Sequence, residues 1–391
     1  MKVGDVSAPA TVCFPFMGDE IGGSHISALG LIRGLDKKRF CPMIVLQVRG
    51  GALEQLFKDA GLEVHSAPPL PTLAYGRRLR PVNIAQLLSG VGARRRFLLE
   101  RRIKIVHTND GRTHAAWALP ARLVGAKLVW HHRSDPSALG LKLLAPIAAN
   151  RVVSVSKFSA PKPGFYSAAS KTDVVHSPFD TELVVDRTTA RAELIRELDV
   201  PPDTALIGFS GALIERKRPL LFVEAVAALR RMAPDIRTLG VIFGQAFGDI
   251  DARIMRLAAQ AGAADSIRLM GFRPNGSRWL SACDILMVPA VDEPFGRTLI
   301  EAMLVGTPVV ATASGGNEEA LRNGETGLIV PADDADALAA ACLRLLRDPQ
   351  LYRTVAVNAD RDARSRYGTR RHVEAITTIY ERLLDDTAAS R

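Results

Sequence analysis

The sequence predicts an α/β protein built from two doubly wound, parallel-sheet domains that face each other across a cleft. Three observations lead there. The length of 391 residues suits two domains of ordinary size better than one. Short apolar runs of β type alternate with longer helical runs almost throughout, the pattern of parallel sheets covered by helices. A stretch rich in charge and proline, 171–202, carries Pro178, Pro201 and Pro202 and divides the alternation into two series.

In the first series, strands are expected at 10–16, 41–48, 62–66, 103–108, 127–132 and 151–156, with helices between them such as 24–35, 52–60, 112–123 and 141–149. The stretch 171–202 reads as the interdomain connection with one short helix, 187–197. In the second series, strands are expected at 205–210, 238–243, 267–270, 285–289, 308–311 and 327–330. The helices are 220–232, 251–261, 279–282, 298–305 and 335–347. A last, strongly periodic helix, 370–385, is expected to cross back to the first domain. The domain boundaries that follow are 1–180, 181–370 and a C-terminal helix and tail, 371–391. In open sheets of this kind ligands bind outside the carboxyl ends of the strands.

Composition narrows the class. Hydrophobic residues make up 47% of the chain, enough for sizeable cores, and charged residues make up 24% without a long polar tract, so disorder is expected only at the two ends. Cys13, Cys41, Cys283 and Cys342 are scattered in apolar stretches without metal-ligand spacing, and they read as buried free thiols in a reducing compartment. Met1 to Pro9 lacks a signal-peptide core, and no run of about 18 apolar residues occurs. A cytoplasmic location is expected. The net charge of +10 favours encounter with anionic partners without choosing among them.

The most informative stretch is DEPFGRTLIEAMLVGTPVVATASGGNEEAL, from Asp292 to Leu321. Pro294-Phe295-Gly296 reads as a tight turn and Thr298 onward as a helix, with Glu293 ahead of it and Glu301 at about its first turn. The amides of Gly296, Arg297, Thr298 and Leu299 would then point into one space, where the helix dipole favours an anion. The segment offers a carboxylate for sugar hydroxyls, a phosphate cradle and a second carboxylate for a ribose diol. The bland alternative is that Glu301 is a favourable first-turn acid.

This segment resembles the E-x7-E region of retaining nucleotide-sugar glycosyltransferases of family four, the glycosyl transferases group 1. Gly271-Phe272, Asp284, Pro289, Glu293 to Gly296, Glu301-Ala302-Met303, Gly306, Pro308-Val309-Val310, Gly315-Gly316, Glu319, Gly327 and Asp334 fall where that family has its pattern. The first half resembles it more loosely, through Gly22-Gly23, Val155-Ser156 and 174–180, where Ser177-Pro178 replaces the family's usual Asn-Gly. The resemblance implies the GT-B fold, two Rossmann-like domains with the second binding the donor. It also implies transfer of a sugar from a nucleotide-diphosphate sugar to a saccharide or lipid-linked acceptor, with retention. Glu293 would contact the donor sugar and Glu301 the ribose, with Phe295 and the turn after it around the donor. The chemistry is a same-face displacement in which the leaving diphosphate helps deprotonate the acceptor, so Glu293 is not a nucleophile. Bacterial-type envelope polysaccharide or lipopolysaccharide synthesis is a natural setting.

Other candidates flank this segment. Gly211 to Pro219 follows a strand and carries Glu215-Arg216-Lys217-Arg218. Fixed cations stabilise a leaving diphosphate. Lys217 matches the family's lysine, whereas Ala212 stands where the family has arginine, and Arg216 would supply that charge; the bland alternative is a solvated basic turn. Gly22-Gly23 opens a helix and reads as a donor-phosphate loop, without the GxGxxG spacing of a dehydrogenase. Trp130 to Asp135 ends a strand, and strand alternation should point one of two adjacent histidines into the cleft. His132 best fits the family histidine that contacts the donor sugar, and His131 or Arg133 could occupy that place. Asn109 and Asp110 are further cleft candidates. Phe272, beside Gly271 and Arg273, would lie near the nucleobase, or in an ordinary turn.

Asp249-Ile250-Asp251 and Asp334-Ala335-Asp336 match a metal-binding DxD pattern, but the second reads as a helix cap. The resemblance implies no metal and no cofactor. The segment 77–104 holds Arg94-Arg95-Arg96 among other cations, one acid (Glu100), and Leu87, Leu88, Phe97, Leu98 and Leu99. It reads either as an amphipathic surface for peripheral contact with anionic lipid on the inner face of the membrane, or as a solvated helix face. A nucleic-acid partner is not expected, because no recognised module accompanies the charge. The competing functions are a nucleotide-sugar epimerase or phosphorylase on the same fold, and a non-catalytic donor-binding subunit.

Overall fold

The computed structural model describes residues 8–69, 86 and 88–388. The chain divides into two units, Met1–Phe179 with Thr369–Arg391, and Asp180–Gly368.

The first unit is built on a seven-stranded sheet. Its strands are β1 (Ala10–Phe16), β2 (Phe40–Leu46), β3 (Val64–Ser66), β4 (Ile105–Thr108), β5 (Lys127–His132), β6 (Arg151–Ser154) and β7 (Thr172–Val174). The order is β3-β2-β1-β4-β5-β6-β7, with every pairing parallel. Both faces are covered, which is why the strands read as continuous apolar runs. Val12, Phe14 and Phe16 of β1 pack on one side with Leu31, Ile376 and Tyr380, from helices Gly23–Gly34 and Thr369–Ala388. Cys13, Leu128 and Trp130 pack on the other side with Trp117 of helix Gly111–Leu123. The last helix, Thr369–Ala388, thus completes the core of the first unit.

Two expectations need correction here. Thr172–Val174 lies in the stretch expected to be connection, yet it pairs with β6 as the seventh strand. Three residues with one aspartate among them carry no apolar run to mark a strand. Cys41 is exposed rather than buried, because side chains alternate along β2 and its neighbour Phe40 is the one that enters the core.

The second unit holds β8 (Ala205–Ser210), β9 (Thr238–Phe243), β10 (Ile267–Gly271), β11 (Ile285–Val288), β12 (Val309–Thr312) and β13 (Leu328–Val330). They form one parallel sheet in the order β10-β9-β8-β11-β12-β13. Helices Pro219–Met232 and Ala335–Arg347 pack on one face, and Arg187–Leu198 with Gly276–Ala282 on the other. Arg187 fastens several parts of this unit. It donates to Gly306 O at 2.9 Å, Cys283 O at 3.0 Å and Tyr352 Oη at 2.8 Å. Tyr352 belongs to a nineteen-residue helix, Pro349–Tyr367, that was not among the expected elements. Among the described residues, no helix is long and apolar enough to cross a membrane.

Candidate active site

The strand order of the second unit reverses between β8 and β11, which are neighbours in the sheet. The loops that leave their carboxyl ends diverge at such a point and open a crevice where ligands bind in α/β sheets. The loop after β8 carries Arg216 and Lys217, and the loop after β11 carries Glu293. The backbones of the two loops are joined, with Val291 N–H donating to Arg216 O at 2.9 Å.

At this junction the side chains form one cluster. The Glu293 carboxylate accepts from Arg216 Nη1 at 2.5 Å and lies 2.9 Å from Lys217 Nζ. Glu293 is 8% exposed. Burial alone would raise its pKa, but the charges of Lys217 and Arg216, with hydrogen bonds from Lys217 and the Gly296 backbone, outweigh burial and leave it below the ordinary carboxylate value. Glu293 is therefore an ionised acceptor held by two cations, a strong, charge-assisted arrangement.

Local backbone chemistry fixes this geometry. Gly296 caps helix Arg297–Leu304 in the left-handed region, at φ +63°, a conformation glycine adopts without a Cβ penalty. Gly316 packs directly under the turn and donates its N–H to Glu293 O at 2.7 Å. A Cβ on Gly316 would lie 2.7 Å from Pro294 O and 2.9 Å from Phe295 Cα. Only a bare backbone fits there. Phe295 is buried and packs edge-on to Tyr367, with ring centroids 5.4 Å apart.

Two features differ from expectation. The helix begins at Arg297, so Glu301 stands beyond the first turn and pairs back to Arg297 at 3.3 Å rather than acting as a first-turn acid. The amide cradle is also narrower. The Gly296 backbone engages Glu293, and Leu299 N–H donates to Gly296 O at 3.1 Å, so two of the four amides are used within the turn. Thr298 lies partly buried in the first turn, and the Leu299 side chain is fully buried in the core. Burial lowers the Arg297 pKa against the opposing pull of Glu301. Phe272, just past β10, is 73% exposed and away from the cluster's hydrogen bonds.

Residues 190–362 match the family described as glycosyl transferases group 1. The match covers most of the second unit.

The chain is 37% identical over 145 residues to a D-inositol 3-phosphate glycosyltransferase of Paenarthrobacter aurescens, covering 36% of each chain. It is 31% identical over 204 residues to the lipopolysaccharide core biosynthesis mannosyltransferase LpsB of Rhizobium meliloti, covering 51% of this chain and 56% of that one. The matches thus span only part of those relatives' length. The solved structure of Anabaena HepE in complex with UDP and glucose shares the fold, with a TM-score of 0.79 at 20% identity over 95% of this chain and 99% of that one. Both units have the Rossmann-like fold of GT-B glycosyltransferase domains.

Within the second unit, sequence reasoning missed Asn317. Its buried Nδ2 donates to Thr312 O at 3.2 Å and to Ala290 O at 3.5 Å, tying the loop after β12 to the Glu293 loop. Its Oδ1 has no partner among the described residues. The signal in the sequence is an asparagine directly after Gly315-Gly316.

In the first unit, the strand order reverses between β1 and β4. Gly22 and Gly23 follow β1 and are exposed, and Gly22 N–H donates to His25 Nδ1 at 3.1 Å. Asn109 and Asp110 follow β4, and Asp110 caps helix Gly111–Leu123 through the amides of Arg112 and Thr113. His131 and His132 do point to opposite faces, but both faces are covered. His131 is enclosed beside His107 at 3.0 Å and stacks on His372. His132 is 3% exposed and turns back to Asp135 O at 3.0 Å. Arg133 donates to Ser177 Oγ at 3.1 Å.

The basic segment 77–104 needs a correction as well. Residues 77–85 and 87 lie outside the described residues. In helix Val91–Glu100, Arg94 is fully buried, lies over the Trp117 ring at 5.4 Å and donates to Gln47 at 3.2 Å. Burial pushes its pKa down to about 10. Arg94 is a core residue, not part of a charged surface, while Arg95 and Arg96 are exposed. The Asp334 carboxylate caps helix Ala335–Arg347 by accepting from Ala337 N–H at 2.8 Å.

Proposed function

We propose that this chain is a glycosyltransferase that moves a sugar from a nucleotide-diphosphate sugar to a saccharide or lipid-linked acceptor, with retention of anomeric configuration. The observation that carries the proposal is the cluster of Arg216, Lys217 and Glu293 at the switch point of the second sheet, inside a group 1 unit. The names of the relatives, an inositol phosphate glycosyltransferase and a mannosyltransferase, and the UDP and glucose bound by HepE support the same reading.

In this reading the donor diphosphate lies against Lys217 and Arg216. The bond between the anomeric carbon and the diphosphate oxygen breaks, and the cations stabilise the charge that develops on the leaving group. They do the work that a metal performs elsewhere. The ionised Glu293 accepts hydrogen bonds from donor sugar hydroxyls. It gives up part of its hold on the two cations as they turn to the diphosphate. Glu301, once parted from Arg297, accepts from the ribose diol, and Phe272 lies near the base. The acceptor hydroxyl loses its proton to the leaving diphosphate as its oxygen bonds to the same face of the anomeric carbon.

The test is release of nucleoside diphosphate from UDP-, GDP- and ADP-sugars by the purified chain, with and without a panel of saccharide acceptors. The proposal requires acceptor-dependent release from at least one donor, and the anomeric signal of the product should match the donor. Release without acceptor and with epimerised sugar, or no release from any donor, contradicts it.

A further inference from the structure

We propose that the first unit docks on an anionic lipid surface through an apolar stripe of Leu139, Leu143 and Ile147, flanked by Phe165 and Tyr166. This inference concerns the first unit alone, so it stands or fails separately from the reading of the donor site.

The stripe is unusual for a folded surface. Leu139, Leu143 and Ile147 are 63%, 61% and 60% exposed. They recur every fourth residue along a π-helical turn, Gly140–Leu144, that runs into helix Ala145–Ala148. The other side of the same stretch is core, with Leu141, Ala145 and Ala148 buried. The outer face is therefore not frayed structure but a fixed apolar ridge. Phe165 is fully exposed beside it, and Tyr166 Oη donates to Leu143 O at 2.8 Å, which ties the two segments together. Contiguous apolar side chains on a surface mark an interaction site.

Charge selects the partner. Between Gly111 and Thr172 the only acidic residue is Asp135, whereas lysine and arginine recur throughout. Lys142 lies within the ridge and is exposed, and Lys162 is exposed three residues before Phe165. Lys171 closes the far end, where its Nζ donates to Pro146 O at 2.7 Å and Ala149 O at 2.6 Å. A second copy of this chain would bring these cations face to face, and like charges oppose such pairing. An anionic bilayer complements them. Apolar residues enter the boundary between headgroups and acyl chains, tyrosine sits at headgroup level, and lysines reach the anionic lipid with their stems along the apolar layer.

The experiment is flotation of the full-length chain with vesicles of phosphatidylcholine alone or mixed with phosphatidylglycerol. The wild type should float with the mixed vesicles only, and added salt should release it. The double variant Leu143→Asp, Ile147→Asp changes two exposed positions, so its melting temperature should match the wild type while its partitioning falls by about tenfold or more. The double variant Arg95→Glu, Arg96→Glu, on a different helix, should still float. Three results would overturn the proposal: no flotation of the wild type, undiminished flotation of the ridge variant, or loss confined to the Arg95/Arg96 variant. Concentration-dependent dimers that the ridge variant abolishes, without flotation, would overturn it too and make the ridge a contact between copies.

Discussion

Lys217 and Glu293, carried by loops that leave neighbouring strands β8 and β11, meet with the lysine Nζ 2.9 Å from the carboxylate. With Arg216 on the same carboxylate, the pair keeps an acid ionised in a nearly closed site, and in the proposed reading it pre-arranges two cations for a diphosphate. Breaking either half should have different consequences.

Glu293→Gln keeps the size of the side chain and removes its charge. Acceptor-dependent release of nucleoside diphosphate should fall by about a hundredfold or more. Binding of the free diphosphate, measured by calorimetry, should be equal or tighter, because Arg216 and Lys217 lose a competing anion. A variant that turns over at the wild-type rate would remove Glu293 from the chemistry.

Gly316→Ala places a methyl group 2.7 Å from Pro294 O, against backbone rather than a yielding side chain. The Glu293 turn must shift, at a cost of about 1–3 kcal/mol. Both the urea midpoint and the affinity for nucleoside diphosphate should drop. Wild-type values for both would show that the turn is looser than its packing indicates.

The histidines of the first unit predict a pH dependence. His107, His114 and His131 are buried, and their pKa values lie well below the ordinary 6.5, first through burial and then through the charges of Arg133 and neighbouring imidazoles. The folded pKa values are depressed, so as pH falls below the unfolded value the unfolded chain takes up protons that the folded chain refuses. Stability should fall by up to about 1.4 kcal/mol per pH unit for each such imidazole. Unfolding midpoints from about pH 7.5 to about pH 5.5 should decline progressively below about pH 6.5. A flat profile would contradict the buried, neutral assignment.

Tyr380→Phe removes the partner of His107 Nδ1, 2.5 Å away, and leaves a buried imidazole nitrogen unsatisfied in the sheet face covered by the last helix. Unfolding in urea should show a loss of about 1–3 kcal/mol. An unchanged midpoint would mean that packing alone holds that helix.

Much of this was legible in the sequence. Twelve of the strands have the apolar, bounded runs that parallel sheets produce, and Thr172–Val174 does not. Helix Pro349–Tyr367 escaped notice because its many arginines and aspartates dilute its periodicity. Val355, Ala359, Ala363 and Tyr367 nevertheless recur every fourth residue, after an Asp348 cap and a proline at the first turn. Glu293 stood out by its place before a helix and Lys217 by a basic turn after a strand, and the resemblance supplied the role of each. Nothing local in either segment says that residues so far apart in the chain will touch; the reversal of strand order brings them together. At His131 and His132 the alternation of faces was legible, but not that the final helix, with His372 and Tyr380, closes over one of those faces.

In the proposed reading, the switch point of the second unit holds a nucleoside diphosphate through Lys217. Its most direct test is thermal stabilisation and calorimetry of the wild type and Lys217→Ala with UDP, GDP and ADP. The wild type should show a clear upward shift with one of the three, and binding should be at least about tenfold weaker in the variant. No shift with any diphosphate, or equal affinity in the two proteins, would contradict it.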